Sequence, residues 1–212
     1  GAASSMLADS PGIDRILARV QRPGRYAGGE YGAIVKEGEG LLRVAVSYPD
    51  LYEIGMSNAA VRILYARLNA LADVSCERVF APAPDFESEL RRHGIPLFSL
   101  ESARALSTFD IIGFSLPYET LYTNALNLLD LAGFPVRAAE RDERHPMIIA
   151  GGHACFNPEP MHAFIDAFVI GEGEEVIHEI IDAVQKDKSV SLRGAPKERR
   201  SNLPSDAGMA AP

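Results

Sequence analysis

Met147-Ile148-Ile149-Ala150-Gly151-Gly152-His153 decides how the chain folds. The apolar run is short, follows Pro146 and ends in paired glycines, which suits a parallel strand covered on both faces better than a helix. Paired glycines just past the carboxyl end of such a strand remove Cβ atoms where open α/β sheets bind ligands. A flat or bulky group could then lie against main chain. The same pair also serves a tight turn with positive φ, so the segments around it must decide between the two.

Working outward from this strand, the chain alternates short apolar segments with helical stretches, the pattern of βαβ units and a parallel sheet. Leu41 to Tyr48 is the expected first strand, ended by Pro49, and Asp50 to Gly55 reads as a loop. Ser57 or Asn58 can cap the next helix, whose buried stripe is Val61, Leu64, Leu68 and Leu71. Glu77 to Ala81 is the second strand, and Asp85 to His93 a helix closed by Gly94 and Pro96. Phe109 to Leu116 is the third strand, broken by Pro117. The following helix carries Leu121, Ala125, Leu128 and Ala132 on one face and stops at Gly133 and Pro135. After the Met147 strand, Pro158 to Phe164 reads as a short helix, Ala167 to Ile170 as the fifth strand, and Val176 to Val184 as one face of the last helix. With right-handed crossovers, this is a flavodoxin-like (Rossmann-like) doubly wound five-stranded parallel sheet of order 2-1-3-4-5, an α/β fold.

Three divisions follow. Residues 1–40 read as a scar (Gly1 to Ser5 ahead of Met6), a short amphipathic helix through Ile13, Ile16, Leu17 and Val20, and a surface arm with a small apolar patch at Ala33 to Val35. Residues 41–188 are the α/β domain, and the polar residues 189–212 read as a linker or disordered tail. The 212 residues are 47% hydrophobic and 24% charged, an ordinary globular composition that supports one domain with a real core. A net charge of −8 repels polyphosphate backbones, which argues against sequence-independent nucleic-acid binding. No apolar stretch is long enough to span a bilayer, so a soluble, cytoplasmic protein is expected. Two cysteines, Cys76 and Cys155, are too few for a disulfide scaffold or a four-thiolate site and read as small buried hydrophobes.

The loops after strands one, three, four and five should gather at one end of the sheet. They hold Asp50 to Asn58, Ser115 to Thr120, Gly151 to Asn157, and Gly171 to Glu175, mixing aromatic, glycine, hydroxyl and amide residues as a site for something large and amphipathic would. Glu174 and Glu175 oppose an anion at the last helix start. No catalytic constellation emerges: around Ser115, Gly113 matches the nucleophile-elbow pattern but Pro117 breaks it, and His153 with Cys155 lacks two further metal ligands. No residue is assigned a catalytic or metal-ligating role.

The loop succession resembles the amino-terminal cobalamin-binding-like domain that precedes a radical S-adenosylmethionine (SAM) domain, and most closely an uncharacterised bacterial family of such proteins. The likeness covers about residues 13 to 186. It rests on Gln21-Arg22-Pro23, Tyr26 to Glu30, Tyr48 to Asn58, Ile63-Leu64-Tyr65, Gly151 to Pro160 and Gly171 to Glu175. In the wider cobalamin-binding family the first loop carries Asp-x-His-x-x-Gly, whose histidine ligates cobalt from below. The third strand supplies a serine and the fourth a Gly-Gly pair, both lining the slot for the nucleotide tail. The resemblance therefore implies a cofactor-binding set of Asp50, Gly55, Ser115, Gly151 and Gly152, joined by Gly171 and Gly173. Tyr52 stands where the histidine would be, and a neutral phenol is a poor cobalt ligand, so any cobalamin would sit without a histidine below the metal.

The resemblance also implies that the iron–sulfur cluster and SAM belong to a separate carboxy-terminal catalytic domain, since this chain lacks the three-cysteine cluster motif. On this reading the fragment is silent alone and presents a corrinoid to its partner domain. The alternative is a Rossmann-like interaction or substrate-recognition domain that does not bind cobalamin; a flavin or nucleotide binder is a third reading.

Overall fold

The computed structural model describes residues 11–171, 173–192 and 209–210. Its sheet is built from β1 (Leu42–Tyr48), β2 (Val74–Phe80), β3 (Ile111–Ser115), β4 (Met147–Gly151), β5 (Ala167–Val169) and β6 (Met209–Ala210). The first five strands are parallel and lie in the order 2-1-3-4-5, the flavodoxin-like α/β arrangement anticipated above. The sixth adds antiparallel to β5, with Phe168 opposite Ala210.

The helices are α1 (Pro11–Leu17), α2 (Tyr52–Ser57), α3 (Ala59–Ala70), α4 (Pro84–His93), α5 (Tyr122–Leu131) and α6 (Gly173–Leu192). Right-handed crossovers place α3 and α6 on one face of the sheet and α4 and α5 on the other. Side-chain contacts agree. Arg91 of α4 pairs with Asp130 of α5 at 2.8 Å, and Gln185 of α6 donates to Asp73, just ahead of β2, at 2.7 Å. Ile111, Ile112, Ile148, Leu128 and Phe168 are buried between these layers, as near-continuous apolar runs in a doubly covered sheet require.

Local chemistry sets the boundaries. Asn58 caps α3, its Oδ1 accepting from Val61 N at 3.1 Å, and Gly94 ends α4 in the left-handed region at φ +62°. Asp110 and Asp166 each stand one residue before a strand, and each accepts from a main-chain N–H of the neighbouring strand: Arg43 N at 2.8 Å and Ile148 N at 2.7 Å.

Four departures from the sequence reading have physical causes. The segment expected as a loop over Asp50 to Gly55 coils into α2 from Tyr52. The second strand begins at Val74 rather than Glu77, because Val74, Ser75 and Cys76 pair with Leu42, Arg43 and Val44 of β1. The short helix expected over Pro158 to Phe164 is a 3-10 turn at Glu159–Met161, preceded by another at His153–Phe156. Residues 6 to 40 were expected to lie outside the core, yet Ile13, Ile16 and Val20 are buried in it. Of the expected tail, α6 takes in residues to Leu192 and β6 residues 209 and 210; the rest, like residues 1–10, lies outside the described residues.

The arm, α3 and the segment after α4 together close the free edge of β2, whose unpaired main-chain groups would otherwise invite another strand. Lys36 Nζ donates to Val74 O at 2.8 Å, and Leu100 N donates to Arg78 O at 2.8 Å. Asn69 holds both main-chain groups of Cys76, and Glu101 accepts from Arg78 N at 2.7 Å. The arm itself is pinned by Tyr26, which stacks on Phe86 at 3.7 Å and accepts from Ala83 N.

Candidate functional site

The parallel strands carry the loops after β1, β3 and β4 to one edge of the sheet, and this edge holds most of the residues implicated by sequence. Asp50 sits directly after β1 and is absorbed by the turn: its Oδ1 accepts from Leu51 N at 2.7 Å and its carbonyl from Ala81 N at 2.9 Å. Tyr52 opens α2 with its ring edge-on to Phe80 at 6.1 Å. Burial first, then a hydrogen bond with Glu30 of the arm, push its phenol up to about 12. Gly55 is buried with the Phe80 ring where a Cβ would stand, so this glycine lets α2 settle on the end of β2. Arg22 and Arg25 of the arm both bind Glu53 Oε1, at 3.1 and 2.9 Å, and fasten α2 from outside.

A raised phenol pKa has a defined sign. The folded state keeps Tyr52 neutral, so its stabilisation is complete below the ordinary phenol value of 10 and is lost as pH rises through about 12. Spectrophotometric titration should show one tyrosine ionising near 12, and Tyr52→Phe should remove that step.

Ser115 ends β3 opposite Gly151 in register. The two loops beyond are joined through main chain: Leu116 N donates to Gly151 O at 2.7 Å, and Ala154 N donates to Leu116 O at 3.1 Å. Gly152 has φ +114°, and a Cβ on it would lie 2.7 Å from Leu116 O and 2.8 Å from Leu116 C. Helix α5 binds the loops on either side. Tyr122 Oη donates to Ala154 O at 3.2 Å, and Asn124 Nδ2 donates to Pro49 O at 2.9 Å. Gly171 follows β5 at φ +115° with no atom within 4 Å of its Cβ position, and Gly173 is the first residue of α6. Ser115, Gly151 and Gly152 thus meet at one point, Asp50, Tyr52 and Gly55 at a second, and Gly171 and Gly173 follow β5.

Sequence reasoning missed Leu116, Tyr122, Asn124 and Glu30. Only Tyr122 and Asn124, polar side chains in the opening turn of α5, left a trace that could have been followed.

These residues do not fit a corrinoid whose nucleotide tail enters between β3 and β4. The space beside the glycine pair is taken by the main chain of buried Leu116, and a phenol replaces the imidazole. Nor is there a metal centre: among the described residues no group of three or more His, Cys, Asp or Glu could hold an ion. Cys155 is buried, and burial alone pushes its thiol up to about 11, which leaves it a poor nucleophile.

What this edge does display is apolar. Ile54 of α2 is 46% exposed, Tyr118 after β3 64% and Phe156 after β4 61%. Glu53, Glu119 and Glu159 are exposed around them.

Fold and edge together define the class: a doubly wound α/β module with its display loops at the carboxyl ends of the strands. Residues 60–204 match the family described as radical SAM proteins, N-terminal, and the chain belongs to that family. The match begins within α3, so β1 and the arm lie outside it. An uncharacterized protein of Methanocaldococcus jannaschii is 25% identical over 142 residues, 66% of this chain and 26% of that relative. The chain therefore spans about a quarter of the relative's length. Among the described residues no helix is long and apolar enough to cross a membrane.

Proposed function

We propose that this chain is the interaction module of a radical SAM protein, and that it packs the carboxyl edge of its sheet against the catalytic portion of the same polypeptide. The observation that carries this reading is the exposure of Ile54 on α2 and of Tyr118 and Phe156 on the segments after β3 and β4, which hydrogen bonds hold together. Large apolar side chains presented on a preorganised surface are what a stable interface uses as anchors, since little ordering entropy remains to be lost on contact. Most of the M. jannaschii relative lies beyond the stretch this chain matches, which provides the surface to be met. Covering this edge would help exclude water from a radical-forming centre and suppress side reactions there.

The rival reading is a corrinoid carrier. It needs an open notch for the nucleotide tail, and the main-chain contacts of Leu116 with Gly151 and Ala154 favour the interaction module instead. An edge that serves as an interface must also respond to charge. In the full-length protein, Tyr118→Asp with Phe156→Asp should raise the rate of protease cleavage between module and catalytic portion about tenfold or more. The isolated 212-residue chain should melt within a degree or two of the parent, because both sites are on the surface. Unchanged cleavage in the full-length variant would remove the proposed interface.

A further inference from the structure

We infer that the Gly151–Gly152 pair is a main-chain clasp that shuts the notch between the β3 and β4 loops, and that this module therefore offers no berth to a corrinoid's nucleotide tail. The inference stands on the notch itself and holds whether or not the edge docks a catalytic domain.

The clasp has three parts. Leu116 spends both of its main-chain groups on the β4 loop, its N–H on Gly151 O at 2.7 Å and its carbonyl on Ala154 N at 3.1 Å. Gly152 sits between these two bonds at φ +114°, and its missing Cβ leaves room for Leu116 O, C and N, which would lie 2.7, 2.8 and 3.1 Å from that atom. The Leu116 side chain is fully buried, so the peptide cannot turn outward without bringing it along. A flat aromatic base held between two walls needs roughly 7 Å between them, two van der Waals contacts of about 3.5 Å. Hydrogen-bonded main chains leave no such gap. Opening the notch would strand the Leu116 N–H and C=O without partners in a buried position, where unmet polar groups are costly.

The two glycines thus have separate duties. Gly151 has φ outside the left-handed region, and its Cβ position lies 3.4 Å from Val169 Cβ, a tight but side-chain contact. Gly152 meets main chain in a conformation that L side chains rarely adopt. A clasp needs only the second.

The test uses the 212-residue chain and two probes, hydroxocobalamin and cobinamide, a corrinoid that lacks the nucleotide tail. After incubation at equal concentration and desalting, the clasp predicts equal corrin absorbance with both, at or near the protein-free blank. Retention of hydroxocobalamin tenfold or more above cobinamide would show a tail berth and overturn the inference. Thermal melting then separates the glycines. Gly152→Ala should melt roughly 5 °C or more below the parent, and Gly151→Ala within about 2 °C. A Gly152→Ala protein that melts with the parent would equally overturn the clasp.

Discussion

Replacing Glu101 by alanine is expected to cost about 3 to 5 kcal/mol of stability. That corresponds to a melting temperature lower by roughly 10 °C for a domain of this size. The Glu101 side chain is fully covered and binds Arg78 twice, through Nε at 2.6 Å and through the main-chain N–H at 2.7 Å. Burial pushes its carboxyl above the usual range, against the pull of the Arg78 guanidinium. Arg78 is itself almost buried, its guanidinium 4.3 Å from the Tyr65 ring, so removing the carboxylate strands a cation with only an aromatic face for company. It also frees an edge N–H of β2. Arg78→Leu with Glu101→Leu should recover most of the loss, because the cost lies in the orphaned charge rather than in the absent pair. Chemical denaturation of the two variants checks this; an equal loss in both would mean that the ion pair itself is the stabilising feature.

Arg141→Ala is expected to cost a similar amount, about 3 to 5 kcal/mol. The Arg141 side chain is completely buried. Its guanidinium donates to Pro135 O, Val136 O, Phe164 O and Asp166 Oδ1 at 2.7 to 3.1 Å. It therefore ties the turn after α5 to the approach to β5. Asp166, its counter-charge, holds Ile148 N at the start of β4. Losing Arg141 leaves the Asp166 carboxylate without its counter-charge and takes this donor from three carbonyls, and it loosens β4 at the end opposite Gly151. Hydrogen exchange of the Ile148 and Ile149 amides should quicken ahead of those in β1. Uniform quickening through the sheet would contradict this local role.

These two residues show where sequence reading stopped. The apolar runs of β1, β3, β4 and β5 were legible because a sheet covered on both faces demands continuous hydrophobicity. Paired strands and right-handed crossovers then dictated the order. β2 reads from Glu77, three residues late, and nothing in the sequence marks Glu77 and Arg78 as buried; contacts more than twenty positions away make them tolerable inside. Glu77 accepts from Ser99 Oγ at 2.6 Å and from Ser102 Oγ at 2.7 Å. Arg141 reads as an ordinary loop cation for the same reason. At the edge, the positions of Asp50, Tyr52, Gly55, Ser115, Gly151 and Gly152 were legible from the loop pattern. Their local duties were not, because a glycine that admits a ligand and a glycine that admits a neighbouring peptide have the same letter. Leu116 O beside Gly152 and the Phe80 ring beside Gly55 distinguish them only in three dimensions.

The proposed docking of the carboxyl edge is tested most directly by amide hydrogen exchange, comparing the full-length protein with the 212-residue chain. The account predicts slower exchange in the full-length protein at residues 52–57, 117–121 and 152–157, with the free face of α4 unchanged. Equal exchange at those three loops in both proteins, or protection confined to α4, would contradict it.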